Sequence, residues 1–182
     1  MTHLATVEET VEETACAEGG ECQVGDTGPG GGTVFYVASN PFTCAPDRAS
    51  NCTYLEAAEP IGIRPLCDVN AYSRLRPLDG IGLGSQNTYL ATACPSETLQ
   101  AVKDMTAGGQ SDWFVPSAAE MQLAYDNSEV IGLPVGKSFS YWSSTSGSAG
   151  STARTFRTDI NYWNTNYGTA STGYRAVPMR NF

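Results

Sequence analysis

The end of the chain, from Ser138 onward, consists of short strand-like segments separated by turn residues, and this pattern limits the folds that the chain can adopt. The segments are SFSYWSST, ARTFRTDI, NYWNTNYG and YRAVPMRNF. Their β-branched and aromatic residues suit a half-buried pleated surface, and the Gly, Ser and Asn between them favour turns. We therefore predict an antiparallel meander, whose last segment pairs in the sheet with a strand near the N-terminus.

Two segments have clear helical signals. The first, PSETLQAVKDMTAG, places apolar residues at helical spacing between Ser96 as N-cap and Gly108 as a stop. The second, PSAAEMQLAYDNS, opens with Ser117 as N-cap and has Glu120 three positions later, which is a capping box. An earlier segment, TVFYVA, predicts a strand. The chain is thus predicted to be α+β, with two helices packed on short antiparallel strands and a loop-rich C-terminal half.

The charge of the chain is concentrated at its start. The formal net charge is −9, and much of it comes from ATVEETVEETACAEGGE. Such a segment favours an acidic flexible leader or linker over residues 1–23, followed by one domain over residues 24–182. The acidic balance argues against nucleic-acid partners, and the absence of a long apolar run argues against membrane insertion.

The six cysteines all lie in the N-terminal half. Without a Cys-x-x-Cys pair, and with His3 as the single histidine, they argue against zinc and favour disulfides in an oxidising compartment. Short loops favour Cys16 with Cys22 and Cys44 with Cys52, which leaves Cys67 with Cys94. Many other pairings are open, and reduced, buried thiols are the alternative.

A glycine-rich run, VGDTGPGGG, precedes the first predicted strand. A phosphate-binding loop would lie between a strand and a helix and would end in Gly-Lys-Ser or Gly-Lys-Thr, and this run does neither. We interpret the run as a tight turn, since glycine adopts backbone conformations that other residues avoid.

Several segments taken together resemble a known bacterial domain. They are GDTGPGGGTVFYV, GSQNTYLAT, GGQSDWFVPSAAEMQLAY, YWSST and YRAVPMRNF. In this order they resemble the domain at the C-terminus of bacterial collagen-like adhesins, which has a C-type-lectin-like fold related to that of formylglycine-generating enzymes. The resemblance spans Val24 to Phe182. It implies that Trp113 and Trp142 are architectural, and large aromatics generally dominate small cores.

The residues argue against two functions of the wider fold. Calcium-dependent sugar binding needs several carboxylates, whereas Asp159 is the single acidic residue after Ser143. The formylglycine-generating relatives depend on a late cysteine pair, whereas the last cysteine here is Cys94. We therefore predict a non-catalytic protein without a metal or other cofactor. The carboxylates around the second helix are interpreted as capping groups: Asp112, Glu120 and Asp126.

The composition of the closing region suggests a second resemblance. From Ser143 to Tyr174 the chain contains no Lys, Glu, Gln or Met. Diversity-generating retroelements mutate adenines of a template. Asn codons that end in a pyrimidine can then become codons for many residues, but not for Lys, Glu, Gln, Met or Trp. The variable proteins of such elements place the diversified region at the C-terminus of this lectin-like fold, and the chain resembles them. Trp163 would be an undiversified scaffold position.

The abundance of Tyr, Ser, Gly and Asn in this region is typical of binding surfaces such as paratopes. The predicted ligand-binding residues are Arg154, Arg157, Asp159, Asn161, Tyr162, Asn164, Asn166 and Tyr167. Alternation places about half of them on one face, and the strand register decides which half.

The predicted function is therefore receptor recognition by a variable C-terminal surface on a virus, phage or cell. The expected partner is a protein or glycan ligand on a target surface, and homo-oligomerisation or multivalent display would raise the affinity. The expected location is extracellular, on a cell surface or on a virion. The alternative is a fixed-specificity bacterial surface adhesin or glycan-binding module.

Overall fold

A computed structural model describes most of the chain as a mixed α+β fold. The described residues are 15–66, 75–91, 97–137, 139–147, 152–167 and 174–182. Within them, no helix is both long enough and apolar enough to cross a membrane.

The described residues form three α-helices and two β-sheets. The helices are α1 (Gly84–Leu90), α2 (Glu97–Lys103) and α3 (Ala118–Asp126). The strands are β1 (Thr33–Cys44), β2 (Ser50–Ala57), β3 (Ile61–Arg64), β4 (Ser140–Ser146), β5 (Ala153–Arg157), β6 (Tyr162–Tyr167), β7 (Tyr174–Ala176) and β8 (Met179–Asn181). One sheet has the order β1-β2-β8, and the other has the order β3-β7-β4-β5-β6.

Helix α3 confirms the predicted capping box. The hydroxyl of Ser117 accepts from the backbone N–H of Glu120 at 3.3 Å, and the Glu120 carboxylate accepts from the backbone N–H of Ser117 at 2.7 Å. Met121 and Ala124 are fully buried on the inner face of the helix. Local sequence therefore determined where this helix begins.

Helix α2 is shorter than predicted. It ends at Lys103, and Gly108 lies in a separate 3-10 turn with a φ of 60°. A side chain at position 108 would collide with the backbone of Gly30, so this glycine allows close approach of two loops rather than stopping the helix. The predicted N-cap, Ser96, lies outside the described residues.

Helix α1 was not predicted, and the expectation of two helices is wrong. Its segment, GSQNTYL, starts with glycine and has no side-chain N-cap. Tertiary contacts hold it instead, because Gly82 N–H donates to the Glu120 carboxylate at 2.8 Å and the Thr88 hydroxyl donates to Val115 O at 3.1 Å. Contacts between distant residues thus override a weak intrinsic helix propensity.

The glycine-rich run wraps around a buried carboxylate. Glu56 is fully buried and accepts from the backbone N–H groups of Gly30 at 2.9 Å and Gly32 at 3.0 Å. Side chains at Gly28, Gly30 or Gly32 would collide with Glu56 or with the backbone of Ala57. The glycines are therefore required for close approach to β2, in addition to forming the turn that the sequence predicts.

Two of the three favoured disulfides are confirmed. Cys16 bonds to Cys22, and Cys44 bonds to Cys52. The second bond joins β1 to β2, near the end of their hairpin. The remaining pair, Cys67 and Cys94, lies outside the described residues.

The predicted antiparallel meander is confirmed for its first three segments, since β4, β5 and β6 pair in antiparallel order, whereas β7 pairs with β4 in parallel. The last segment behaves differently, because YRAVPMRNF divides into β7 and β8, which belong to different sheets. Strand β8 joins the sheet of β1, but its direct partner is β2. The start of β1 is already paired on its other edge, where Gly25 N–H donates to Val34 O and Val34 N–H donates to Asp26 O, both at 2.8 Å.

The core lies on both faces of the five-stranded sheet. Strand β4 places Trp142 in a cluster with Trp113, and it places the neighbouring Tyr141 in a second cluster with Phe156 and Met121. Both tryptophans are fully buried, which confirms their predicted role in the core. Alternation along β4 thus lets one strand anchor two layers.

Candidate ligand-binding surface

The predicted ligand-binding residues lie on or beside the hairpin formed by β5 and β6. The register pairs Phe156 with Trp163 and Arg157 with Tyr162. Because side chains alternate across a strand, these two pairs point to opposite faces of the sheet. Phe156 and Trp163 face the core, with their ring centroids 4.9 Å apart.

Helix α3 supports the inner face of the hairpin. Trp163 Nε1–H donates to Gln122 Oε1 at 3.0 Å, and Gln122 Nε2 donates to Asn161 Oδ1 at 3.4 Å. The ring of Tyr125 packs edge-on against Phe156, with centroids 4.8 Å apart. Trp163 therefore has packing contacts on its ring and a hydrogen bond on its nitrogen.

The turn between β5 and β6 is anchored by a buried hydroxyl. Thr158 Oγ1 accepts from Gly136 N–H at 2.9 Å and lies 2.9 Å from Phe139 O, to which it donates. Asn161 follows in the left-handed region with a φ of 47°, a conformation that Asn tolerates better than most residues. This anchoring gives the turn a defined shape.

The outer face of the hairpin contains three of the predicted residues. Arg157, Tyr162 and Asn164 share this face, since Arg157 pairs with Tyr162 and Thr155 pairs with Asn164. Tyr162 is 53% exposed, whereas Asn164 is half-buried. Arg157 is exposed and donates to Asp159 Oδ2 at 2.8 Å, so the guanidinium charge is paired.

The other predicted residues do not all join this face. Arg154 forms an ion pair with Asp79 at 3.4 Å, beside the start of α3. Asp159 and Asn161 lie in the turn. Asn166 and Tyr167 continue β6, and their side chains lie outside the described part of the structure.

Sequence reasoning missed Ile160 as an exposed residue. Strand alternation from Phe156 through Thr158 would turn Ile160 inward, but the strand has ended and the turn exposes 57% of the residue. The usable signal was its position between Asp159 and Asn161, both of which favour turns.

Two buried acids serve the fold. Tyr141 lies on β4 opposite Phe156 and donates to Pro134 O at 2.7 Å, and burial raises its pKa to about 12 although Arg175 opposes the shift. Burial raises the pKa of Glu120 to about 7, against the lowering effect of the N–H donors of Ser117, Gly82 and Gly84.

The predicted capping role applies to one of three carboxylates. Glu120 caps α3, whereas Asp112 pairs with Arg180 and Asp126 lies at the end of the helix, where it accepts from Gln122 at 3.0 Å. Asp126 cannot cap the start of a helix that it ends. Among the described residues, no three His, Cys, Asp or Glu side chains cluster as metal ligands would.

Comparisons of the chain with protein-family models, curated proteins and solved structures find no match.

Proposed function

We propose that the chain is a non-catalytic ligand-binding protein that contacts its ligand through the outer face and the connecting turn of the β5–β6 hairpin. We call this the hairpin surface, and it comprises Arg157, Asp159, Ile160, Asn161, Tyr162 and Asn164. The main support is the exposure of Ile160 (57%) and Tyr162 (53%) on a hairpin whose opposite side is packed and hydrogen-bonded. Exposed apolar groups on a rigid support are typical of binding surfaces.

The residue types of the closing region support a diversified surface. The absence of Lys, Glu, Gln and Met from Ser143 to Tyr174 is what adenine mutagenesis of Asn codons would produce. The contacts of Trp163 with Phe156 and Gln122 explain why this one residue would be excluded from diversification. The proposed identity is a variable protein of a diversity-generating retroelement, with a C-type-lectin-like fold.

The charges of the hairpin surface favour a protein or glycan ligand. Arg157 is neutralised by Asp159, and the remaining members are uncharged. Such a surface would recognise hydrogen-bonding and apolar groups rather than a polyanion. The two disulfides are typical of proteins in oxidising compartments, in line with display on a virion or cell surface. Multivalent display would raise the affinity.

The decisive experiment is to sequence the gene and its flanking DNA. The proposal predicts a near-copy of the segment that encodes Tyr141 to Phe182, differing at adenines and lying beside a reverse transcriptase gene. If no such copy exists, diversification is refuted and a fixed-specificity adhesin becomes the better explanation.

A second experiment tests the surface itself. In a display library the six positions of the hairpin surface would be randomised, and the library would be selected against an unrelated soluble protein. A matched library would randomise six exposed positions elsewhere, including Asp47, Arg48 and Asp104. We expect binders from the hairpin library in excess of the matched one. Equal yields would contradict a specialised surface.

A further inference from the structure

A cavity of about 280 Å³ opens beside β8. This strand belongs to the three-stranded sheet, whereas the hairpin surface belongs to the five-stranded sheet. Its wall includes Asp112, Arg180 and Asn181, together with the Cys44–Cys52 disulfide. The volume is near the lower end of the range for small-molecule sites, which suits one residue of a peptide and its flanking amides.

The backbone of β8 presents unused hydrogen-bonding groups to this side. Phe182 and Tyr54 exchange two backbone hydrogen bonds, at 3.2 and 2.9 Å. Because such pairs alternate along antiparallel strands, the N–H and C=O groups of Met179 and Asn181 point away from β2. Met179 uses both groups, since it exchanges hydrogen bonds with Phe114 at 2.8 and 2.9 Å.

This second ladder stops after the single pair of Phe114 and Met179. Its continuation would pair Asp112 with Asn181, but both residues line the cavity instead. Among the described residues, none bonds to the outward N–H and C=O of Asn181. The residue is only 7% exposed, and the amide nitrogen of its side chain is buried without an acceptor. Unpaired polar groups at a strand edge favour the addition of another strand.

The cavity wall carries one carboxylate, Asp112, and one guanidinium, Arg180, and the guanidinium is shared with a second carboxylate behind the wall. Arg180 is paired on both sides, with Glu56 Oε1 at 3.0 Å and with Asp112 Oδ1. Two carboxylates and one guanidinium leave an excess negative charge. Glu56 is fully buried, whereas the Asp112 side chain is 51% exposed, so the excess charge is accessible at Asp112.

We propose that this cavity binds a short extended peptide segment that carries a Lys or Arg side chain. The peptide backbone pairs with the outward N–H and C=O of Asn181, and the cation meets the carboxylate of Asp112. The adjacent amide of Asn181 donates to a peptide carbonyl after rotation of the side chain. This site lies apart from the hairpin surface and does not depend on its function.

The test uses two blocked tripeptides, acetyl-Ala-Lys-Ala-amide and acetyl-Ala-Glu-Ala-amide, titrated at millimolar concentrations into the ¹⁵N-labelled chain. We expect saturable NMR shifts of the backbone and side-chain amide signals of Asn181, with tighter binding of the Lys peptide. Asp112→Asn should weaken the Lys peptide roughly threefold, as for one partly exposed ion pair, and should remove the preference over Glu. The control Asp104→Asn replaces an exposed carboxylate outside the cavity, and it should change neither the affinity for the Lys peptide nor the preference over the Glu peptide.

A second variant tests the contacts of Asn181. Asn181→Pro removes the outward N–H together with the side-chain amide, without removing a ladder bond to β2, so the chain should stay folded by tryptophan fluorescence and lose the Lys peptide. Any of three results would overturn the proposal: NMR signals of Asn181 that do not shift during the titration, equal affinity for the two peptides, or undiminished binding of the Lys peptide by a folded Asn181→Pro variant.

Discussion

Glu120 makes the stability of this protein depend on pH in a direction opposite to that of most carboxylates. Its carboxyl group is fully buried, and burial raises its pKa from an ordinary 4.5 to about 7. Because the folded pKa is higher than the unfolded one, the folded state holds a proton that the unfolded state releases. The resulting stability is complete below pH 4.5 and is lost as the pH rises to about 7.

The expected magnitude follows from the shift. The difference between about 7 and 4.5, at about 1.4 kcal/mol per unit, corresponds to a loss of about 3 kcal/mol between pH 4.5 and 8. The assay is urea unfolding, followed by tryptophan fluorescence, of the wild type and of Glu120→Gln across this range. Comparing the two isolates Glu120, because both proteins share the other titrating groups.

The variant should be less stable than the wild type at low pH by about 1–3 kcal/mol. Both carboxylate oxygens accept backbone N–H groups, and the Gln nitrogen would leave one of these donors unpaired. The gap should then narrow as the pH rises and the wild type ionises. Glu129→Gln, at an exposed position, should leave the profile unchanged. A stability gap that widens with pH would refute the reasoning. It would mean that the hydrogen bonds lower the pKa of Glu120 by more than burial raises it.

Three further predictions concern stability. Arg180→Met should cost about 3–5 kcal/mol in urea unfolding, because it leaves the carboxylate of Glu56 buried without its cation; an unchanged midpoint would contradict this. Replacing Cys44 and Cys52 together by Ser should lower the free energy of unfolding by about 2–3 kcal/mol, the range for closure of a short loop; wild type treated with reductant should lose at least as much, because reduction also opens Cys16–Cys22, and a variant as stable as the oxidised wild type would contradict this. Tyr162→Ser should change stability by less than about 0.5 kcal/mol, since the side chain is largely exposed, and a larger loss in thermal unfolding would show that this residue supports the fold.

Features that depend on neighbouring residues were predicted well. The capping box of Ser117 and Glu120 operates over three positions, and the disulfides Cys16–Cys22 and Cys44–Cys52 close short loops. The meander of β4, β5 and β6 likewise joins strands that follow one another in the chain. Local pattern suffices in these cases, because partners close in sequence meet at little entropic cost.

The candidate binding surface could be predicted only in part. The sequence indicated the segment but not the faces, since the register that sets Arg157 and Tyr162 together depends on how β5 pairs with β6. Arg154 was grouped with them, yet its charge is engaged by Asp79, which lies far away in the chain. Ile160 was missed because the turn interrupts strand alternation at that position.

The sequence by itself determined the α+β character, the start of α3, the two local disulfides, the meander and the burial of Trp113 and Trp142. Tertiary structure alone decided the existence of α1, the division of the closing segment between two sheets and the wrapping of the glycine run around Glu56. The physical reason is distance along the chain. Each of these features rests on contacts between residues far apart in sequence, and whether such contacts form depends on how the whole core packs.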